Sequence, residues 1–547
     1  MRIDLALLLT LAITLSGCGG GSGNTGSAAP SPAAPTIDPA PALPTVDISS
    51  VTLADPGSTL AEGWQSGAFM EIYVRGYQDS DGDGIGDLKG LTSRLDYLRD
   101  LGIKGVWLMP VTRSQDHDHG YAVSDYRNIE TAYGSLADFD EFVRQAHARG
   151  IGVIIDYVIN HSATQHPLFV NSAASSSNPY RDWYLWQSQM PAGWSIYGMN
   201  PWRLWSLSYY FAAFDGSMPD FNFRNPAVLS WHQDNLRFWL NRGVDGFRFD
   251  AVPNLVENSA SAWYDQPESY LLMGQLHNVV SSYRQRYMVC EAAANPTAWA
   301  AQGVCGSAFA FGHQSDIVNA ARGQTAAIAA LATYFGSAPA SMATLISNHD
   351  AFAGQRLWDQ LGGDTARYRL AAATYLLQPG TPFIYYGEEI GMAGAAGLQA
   401  DASLRTPMSW SADARGFTSG QPFRALSANI GQNNVAGQLA DANSLHAFYK
   451  SMLGLRNALP SIARGSFEAA KVQGGALTWQ RRLGTERTLV VLNYDTAAGS
   501  VQLDGLGAAA RLVPAWPAGA ATLNANATGS ATLTLAPQSL QVFVIQP

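Results

Sequence analysis

The residues best suited to chemistry in this chain sit at the ends of short apolar runs. Residues 244–250 (VDGFRFD) read as a buried strand closing on an arginine and an aspartate two positions apart. Residues i and i+2 of a strand point to one side. Arg248 and Asp250 are therefore expected to face the same space, with Gly243 and Gly246 permitting close backbone approach. A carboxylate beside a guanidinium should have a lowered pKa, which suits a nucleophile better than a general acid. A single such pair is more often a structural ion pair. Three other runs end in the same way, however: residues 152–161 (GVIIDYVINH), 287–291 (YMVCE) and 344–350 (TLISNHD).

These ends need elements to bring them together. Buried β-branched strands alternate here with helical stretches, the pattern of a parallel α/β protein. In a (β/α)8 TIM barrel the active site forms at the C-terminal ends of the strands. Asp156, Asp250, Glu291 and Asp350 would then converge on one cleft. The first barrel strand is expected over 68–77 and the later ones over 307–311, 343–347 and 382–386.

The segments resemble the sequence regions of the α-amylase family, the family-13 retaining α-glycoside hydrolases. DYVINH, GFRFD, the Glu291 segment and SNHD resemble four of those regions. MPDFN (218–222), GVWLMP (105–110) and GTPFIYYGEEIGM resemble three more, all in the family's order. The resemblance lies closest to the oligo-1,6-glucosidase and intermediate α-amylase group. It implies a TIM barrel at 56–160 and 215–460, a small aromatic-rich domain inserted after strand 3 at 161–214, and a C-terminal antiparallel β-sandwich domain at 461–547.

It also implies roles. Retaining glycoside hydrolysis needs two carboxyl groups about 5–5.5 Å apart. Asp250 is the expected nucleophile. Glu291 is the expected acid/base, because its apolar neighbours should raise its pKa. Asp350 and His349 are expected to grip ring hydroxyls, and Asp156 to fix Arg248. In Asp118-His119-Gly120-Tyr121 the family's tyrosine stacks on the sugar and its aspartate bonds a non-reducing-end hydroxyl. His161 is expected to donate to that same sugar.

Composition frames the rest. At 547 residues, 47 % hydrophobic and 14 % charged, the chain is globular and should form two or three domains. A net charge of −10 disfavours nucleic acid and fits a neutral polymer. Residues 1–18 resemble a lipoprotein signal peptide with Cys18 as the lipidated residue, and 19–55 read as a flexible Gly/Ser/Ala/Pro linker. The expected protein is exported, either lipid-anchored to the bacterial envelope or secreted. It should be monomeric and touch membrane only through the anchor. Cys290 and Cys305 are spaced for a disulfide, with two free thiols as the alternative. Asp79, Asp81, Asp83 and Asp87, with the Ile85 carbonyl, copy the first part of a calcium loop, so Ca²⁺ is the expected cofactor.

Two readings of the activity compete. Twelve aromatics between 180 and 214 suggest a stacking surface for a long glucan, hence an α-amylase cutting internal α-1,4 bonds of starch and maltooligosaccharides. Asp118, MPDFN and Pro253-Asn254, where the family's amylases often carry Lys-His, suggest instead an exo-acting α-glucosidase or a transglycosylase resembling trehalose synthase. A non-catalytic starch-binding lipoprotein is disfavoured by the intact carboxylates. Nucleotide-driven, zinc-protease and serine-hydrolase readings find no motif.

Overall fold

A computed structural model describes residues 42–547. The leader at 1–18, Cys18 and linker residues 19–41 lie outside the described residues. Parallel strands β1 (Phe69–Ile72), β2 (Gly105–Leu108), β3 (Gly152–Tyr157), β4 (Gly246–Phe249), β5 (Tyr287–Cys290), β6 (Ala343–Thr344) and β7 (Thr381–Tyr385) form one sheet. Its order is β5-β4-β3-β2-β1-β7-β6. The gap between β5 and β6 is closed by Ala308 and Phe309, which make single parallel bridges to Cys290 and Ala343. The strand expected over 307–311 is thus reduced to two residues. Gly306 and Gly312, both at positive φ (75° and 96°), turn the chain on either side of it.

Strand periodicity explains the interior. Phe69, Trp107, Ile154, Val289, Phe309 and Phe383 belong to one buried cluster inside the barrel, floored by Leu60 and Trp64. Phe69 and Phe383 stack with centroids 4.8 Å apart. Each such ring contributes about 1.5–3 kcal/mol by leaving water. Two residues further along the same strands stand Glu71 and Asp156, so the polar layer lies directly above the apolar one. The expected first strand runs too long: β1 stops at Ile72, and Val74–Tyr77 coils into a helical turn. Tyr77 there packs edge-on against Tyr386 and Trp410, turning the chain off the barrel.

Helices surround the sheet, each started by a local signal. Pro226–Asn241 opens on Asn225, whose side chain accepts from Ala227 N, with Pro226 in the first turn. Leu136–His147 opens on a Ser135/Asp138 capping box. The insertion after β3 folds as a helix (Pro167–Ala174) and a three-stranded sheet of Trp186–Gln187, Ser208–Phe211 and Trp202–Trp205. At the C-terminus six antiparallel strands face a two-stranded sheet across Leu489, Val491, Val501, Leu533 and Phe543. The opposite face, with Trp479, Val490 and Val542, joins the barrel core.

The linker expected over 19–55 ends earlier than its composition suggests. Val51 N and Ala54 N donate to Asp234 and Asn241, and Trp231 Nε1 donates to Asp47 O (3.0, 2.9 and 3.0 Å). Residues 44–55 lack regular structure, yet these bonds hold them along the helix Pro226–Asn241.

Candidate active site

The strand ends converge on a single guanidinium. Arg248, wholly buried in β4, donates through Nη1 to Asp156 (2.9 and 3.0 Å) and to Asp250 Oδ1 (2.6 Å). Its Nη2 donates to Glu291 Oε2 (2.6 Å). Gly246 makes this approach of β4 to β5 possible: a Cβ there would lie 1.7 Å from Tyr287 O. Arg248 also faces the Trp107 ring at 5.1 Å.

A second cation completes the floor. His349 Nδ1 bonds to Glu71 Oε1 (2.5 Å), and its Nε2 meets Tyr121 OH (2.6 Å) and Asp350 Oδ2 (3.0 Å). Tyr121 OH also donates to Asp156 Oδ2 (2.9 Å), joining the two halves. Arg405 donates to the His349 carbonyl (3.0 Å) and to Asp350 Oδ1 (2.8 Å). Asp118 receives Tyr73 OH (2.5 Å) on one oxygen and Arg424 Nη2 (2.6 Å) on the other.

These charges set the proton inventory. Glu71, Asp156, Asp250, Glu291 and Asp350 face Arg248, His349 and Arg405, so carboxylates outnumber cations. Burial, with the Asp250 and Asp350 charges, pushes Glu291 up to about 7 against the pull of Arg248. Asp250 does not follow the lowering expected beside Arg248. Burial outweighs the guanidinium, which it shares with Asp156 and Glu291, and raises it to about 6. The order still leaves the proton on Glu291. Burial alone would lower His349, but Asp350 and Glu71 hold it charged, up to about 10. Asp350 is held far below the ordinary carboxylate range: burial is overcome by His349 and Arg405.

The floor opens into a cavity of about 300 Å³ lined by His119, Tyr121, His161, Phe214, Asp250, Glu291, Asp350, Phe352 and Arg405, among others. His161 presents both ring nitrogens without a protein partner. Burial lowers its pKa to about 4, leaving a neutral ring. Asp118 stands one residue before His119 and keeps 37 % of its side chain exposed. Cys290 and Cys305 are bonded to each other, tying the residue before Glu291 to the loop before Ser307.

The aromatic insertion departs from expectation. Trp202 and Phe211 are buried in its own small cluster, and Trp183, Tyr184 and Tyr210 in the core shared with the barrel, Trp183 against Trp231. Trp186 is covered by Arg181 at 3.6 Å and stacks on Phe169. Of the twelve rings only Phe214 lines the cavity. Five of the twelve rings are thus core, while Tyr197 and Trp205 stay exposed (57 and 39 %) and the others are half-buried.

In the acidic loop, carboxylate oxygens of Asp79, Asp81 and Asp87 converge within 4.8 Å of one another. The Asp83 carboxylate accepts the Ile85 N–H (2.7 Å), as Asp81 accepts that of Asp83 (3.1 Å). Asp87 doubles as N-cap of Leu88–Ser93, accepting Gly90 N. Three hard oxygens on one short loop fit a divalent cation such as Ca²⁺.

Sequence reasoning missed Glu71, Arg405 and Arg424. Glu71 had a signal, being the one charged residue in the apolar run of β1. Arg405 caps the short helix Ala400–Leu404 and Arg424 lies in irregular chain, so no periodicity aims either of them. The Alpha amylase, catalytic domain family model matches residues 71–465. The chain belongs to the α-amylase family. "Alpha-amylase 3" of Dictyoglomus thermophilum is 34 % identical over 450 residues, 79 % of this chain and 86 % of that protein. "Alpha-glucosidase" of Pediococcus pentosaceus is 31 % identical over 487 residues, 74 % of this chain and 86 % of that protein. The trehalulose synthase MutB of Pseudomonas mesoacidophila MX-45 superposes with a TM-score of 0.77 at 26 % identity, covering 89 % of this chain and all of that one. This α-amylase-family chain is thus a glycoside hydrolase built on a TIM barrel, with Asp250, Glu291 and Asp350 lining one cavity and Asp156 buried beneath it.

Proposed function

We propose that this enzyme is an exo-acting α-glucosidase that removes single glucosyl units from the non-reducing ends of short α-glucosides. The observation that carries this reading is the pair of Asp118 with Arg424, outside the cavity lining but next to it: Asp118 precedes the lining residue His119, and Arg424 donates to the carbonyl of the lining residue Arg405. Burial opposes ionisation of Asp118, but the Tyr73 hydrogen bond and the Arg424 charge hold its pKa below the usual value. A fixed acceptor next to a fixed donor recognises the hydroxyls of one terminal sugar and demands one register. Internal cleavage needs open subsites on both sides, and of the insertion's twelve rings only Phe214 lines the cavity. The α-glucosidase relative supports the same direction.

In this reading Asp250 attacks the anomeric carbon while Glu291, protonated near pH 7, gives its proton to the departing oxygen. Water then cleaves the glucosyl ester as Glu291 takes a proton back. Asp350 and the neutral His161 hold ring hydroxyls; His349, fully buried with both nitrogens engaged, positions Asp350 and does not grip the sugar itself as the sequence suggested. A Ca²⁺ on Asp79, Asp81 and Asp87 would relieve their mutual repulsion and stabilise the fold. The leader-like residues and Cys18 support an exported, lipid-anchored enzyme, which Cys18→Ala and fractionation would test.

A maltotriose whose non-reducing end is blocked by an acetal decides the specificity. The exo-enzyme leaves it intact and releases glucose alone from unblocked maltotriose. The Dictyoglomus relative named an α-amylase favours internal cleavage as the second reading. Soluble starch losing its iodine colour before reducing sugar accumulates would establish that one instead.

A further inference from the structure

The acidic loop and the sugar-capping pair are parts of one assembly. Residues 79–84 run against residues 417–423 backbone to backbone. Asp79 N donates to Phe417 O (3.1 Å), and Phe423 N donates to Gly84 O (3.0 Å). Gln78 Nε2 reaches the same Phe417 carbonyl (2.7 Å). Between these bonds the two chains touch without room for a side chain. A Cβ on Gly84, which sits at φ 92°, would lie 1.9 Å from Gln421 O, and one on Gly420 would lie 2.1 Å from Gly82 O.

A side chain from the other segment crosses this seam toward the acidic loop. Thr418, 3 % exposed, donates its hydroxyl to Asp79 Oδ2. The Thr418 hydroxyl oxygen accepts Gly420 N (2.8 Å), so the threonine shapes its own segment while it holds the loop's carboxylate. The residue after Phe423 is Arg424. Its Nη2 bonds Asp118 and its Nη1 donates to the Arg405 carbonyl (3.1 Å), so its position follows that of the segment. Phe423 lies edge-on to Tyr73, whose hydroxyl holds the other Asp118 oxygen. Asp79 and Asp118 are therefore joined by packed chain through Thr418, Phe423 and Arg424. None of these atoms touches Asp250 or Glu291.

We propose that Thr418 is a positioning residue that couples the acidic loop to the Asp118/Arg424 cap, so that the state of Asp79 sets affinity for the non-reducing-end sugar and not the rate of bond cleavage. This rests on the exo reading above. An Asp79 carboxylate engaged by both Thr418 and a divalent cation fixes the segment in one position. By reciprocity, whatever the cation does to sugar affinity, the sugar does to cation affinity by the same factor.

The test compares Thr418→Val with Arg424→Ala, using maltose as substrate. Thr418→Val is expected to raise KM roughly tenfold, equivalent to ~1.4 kcal/mol, with kcat within twofold, and Thr418→Ser is expected to restore KM. Arg424→Ala is expected to raise KM at least as much. A fall in kcat with KM unchanged, or a lower Tm with both constants unchanged, in Thr418→Val overturns the coupling. If Arg424→Ala raises KM and Thr418→Val does not, the coupling alone fails. If Arg424→Ala leaves KM unchanged, the exo reading fails with it. The wild-type protein gives a second measurement that needs no variant to fold. The Kd of glucose, measured by calorimetry on chelated protein, is expected to fall when Ca²⁺ alone is added back. An equal Kd with and without Ca²⁺ overturns the proposal.

Discussion

The floor of the cavity and the cap beside it hold their charges by different means. Asp156, Arg248 and Glu291 stand at the ends of neighbouring strands whose register is locked by parallel ladders. Arg248 in β4 pairs with Asp156 of β3 on one side and Val289 of β5 on the other. The cap has no ladder. Arg424 is aimed at Asp118 by loop-on-loop contacts, and Asp118 stays partly exposed. A ladder fixes side chains to fractions of an ångström because every bond along it must shift together. A loop seam can slide as soon as one contact gives. The floor is accordingly suited to bond cleavage, where geometry is decisive, and the cap to deciding which sugar end is accepted.

Exchanging floor carboxylates should break the molecule's activity most. Asp250→Asn or Glu291→Gln is expected to lower kcat by about three orders of magnitude or more, since each removes half of the double displacement. Far-ultraviolet circular dichroism should be unchanged. Because Arg248 would keep only two of its three carboxylates, Tm should move as well. If either variant retained a tenth of wild-type kcat, the assignment of roles to the floor would be wrong.

The disulfide sharpens the contrast with Thr418. Cys290 immediately precedes Glu291, and the closed loop of 15 residues is worth ~3 kcal/mol in the chain-entropy account. Cys305→Ala with Cys290→Ala is expected to lower Tm by several degrees. Any kinetic effect should fall on kcat, by less than about tenfold, because the bridge borders the acid/base and not the cap. A KM-selective effect here would mean that floor and cap are not mechanically separate.

The same division governs what could be read from sequence. The floor was legible because its signals are local. Arg248 and Asp250 are two residues apart in a strand, Cys290 adjoins Glu291, and His349 adjoins Asp350. Period 2 alone assigns their side. Arg424 was not legible, since its partner lies 306 positions away and no element connects them. The aromatic insertion was legible only in part for a related reason. Composition counts rings but does not say which face of each is covered, and Trp186 lies between Arg181 and Phe169. The sixth barrel position looked like an ordinary strand, yet Gly306 and Gly312 cut it to two bridges. In the acidic loop spacing found the carboxylates, but only the fold shows Asp83 turned to the Ile85 amide.

The smallest expected effect is a change in the shape of the pH profile, and it reads the floor alone. Asp250 must be ionised to attack, so kcat/KM should fall as pH drops through about 6. Glu291 must be protonated to release the leaving group, so it should fall again as pH rises through about 7. The resulting bell is narrow and centred between these values. The two limbs can be separated by the leaving group. A phenol acidic enough to depart unprotonated has no need of the Glu291 proton in the first step. With such an aryl α-glucoside the alkaline limb of kcat/KM should move upward by a unit or more, while the acid limb stays. Cap variants such as Thr418→Val should lower the whole curve without moving either limb, because Asp118 is already ionised across this range. A cap variant that shifted the alkaline limb would show that the seam reaches Glu291 after all, and the separation of floor from cap would fall.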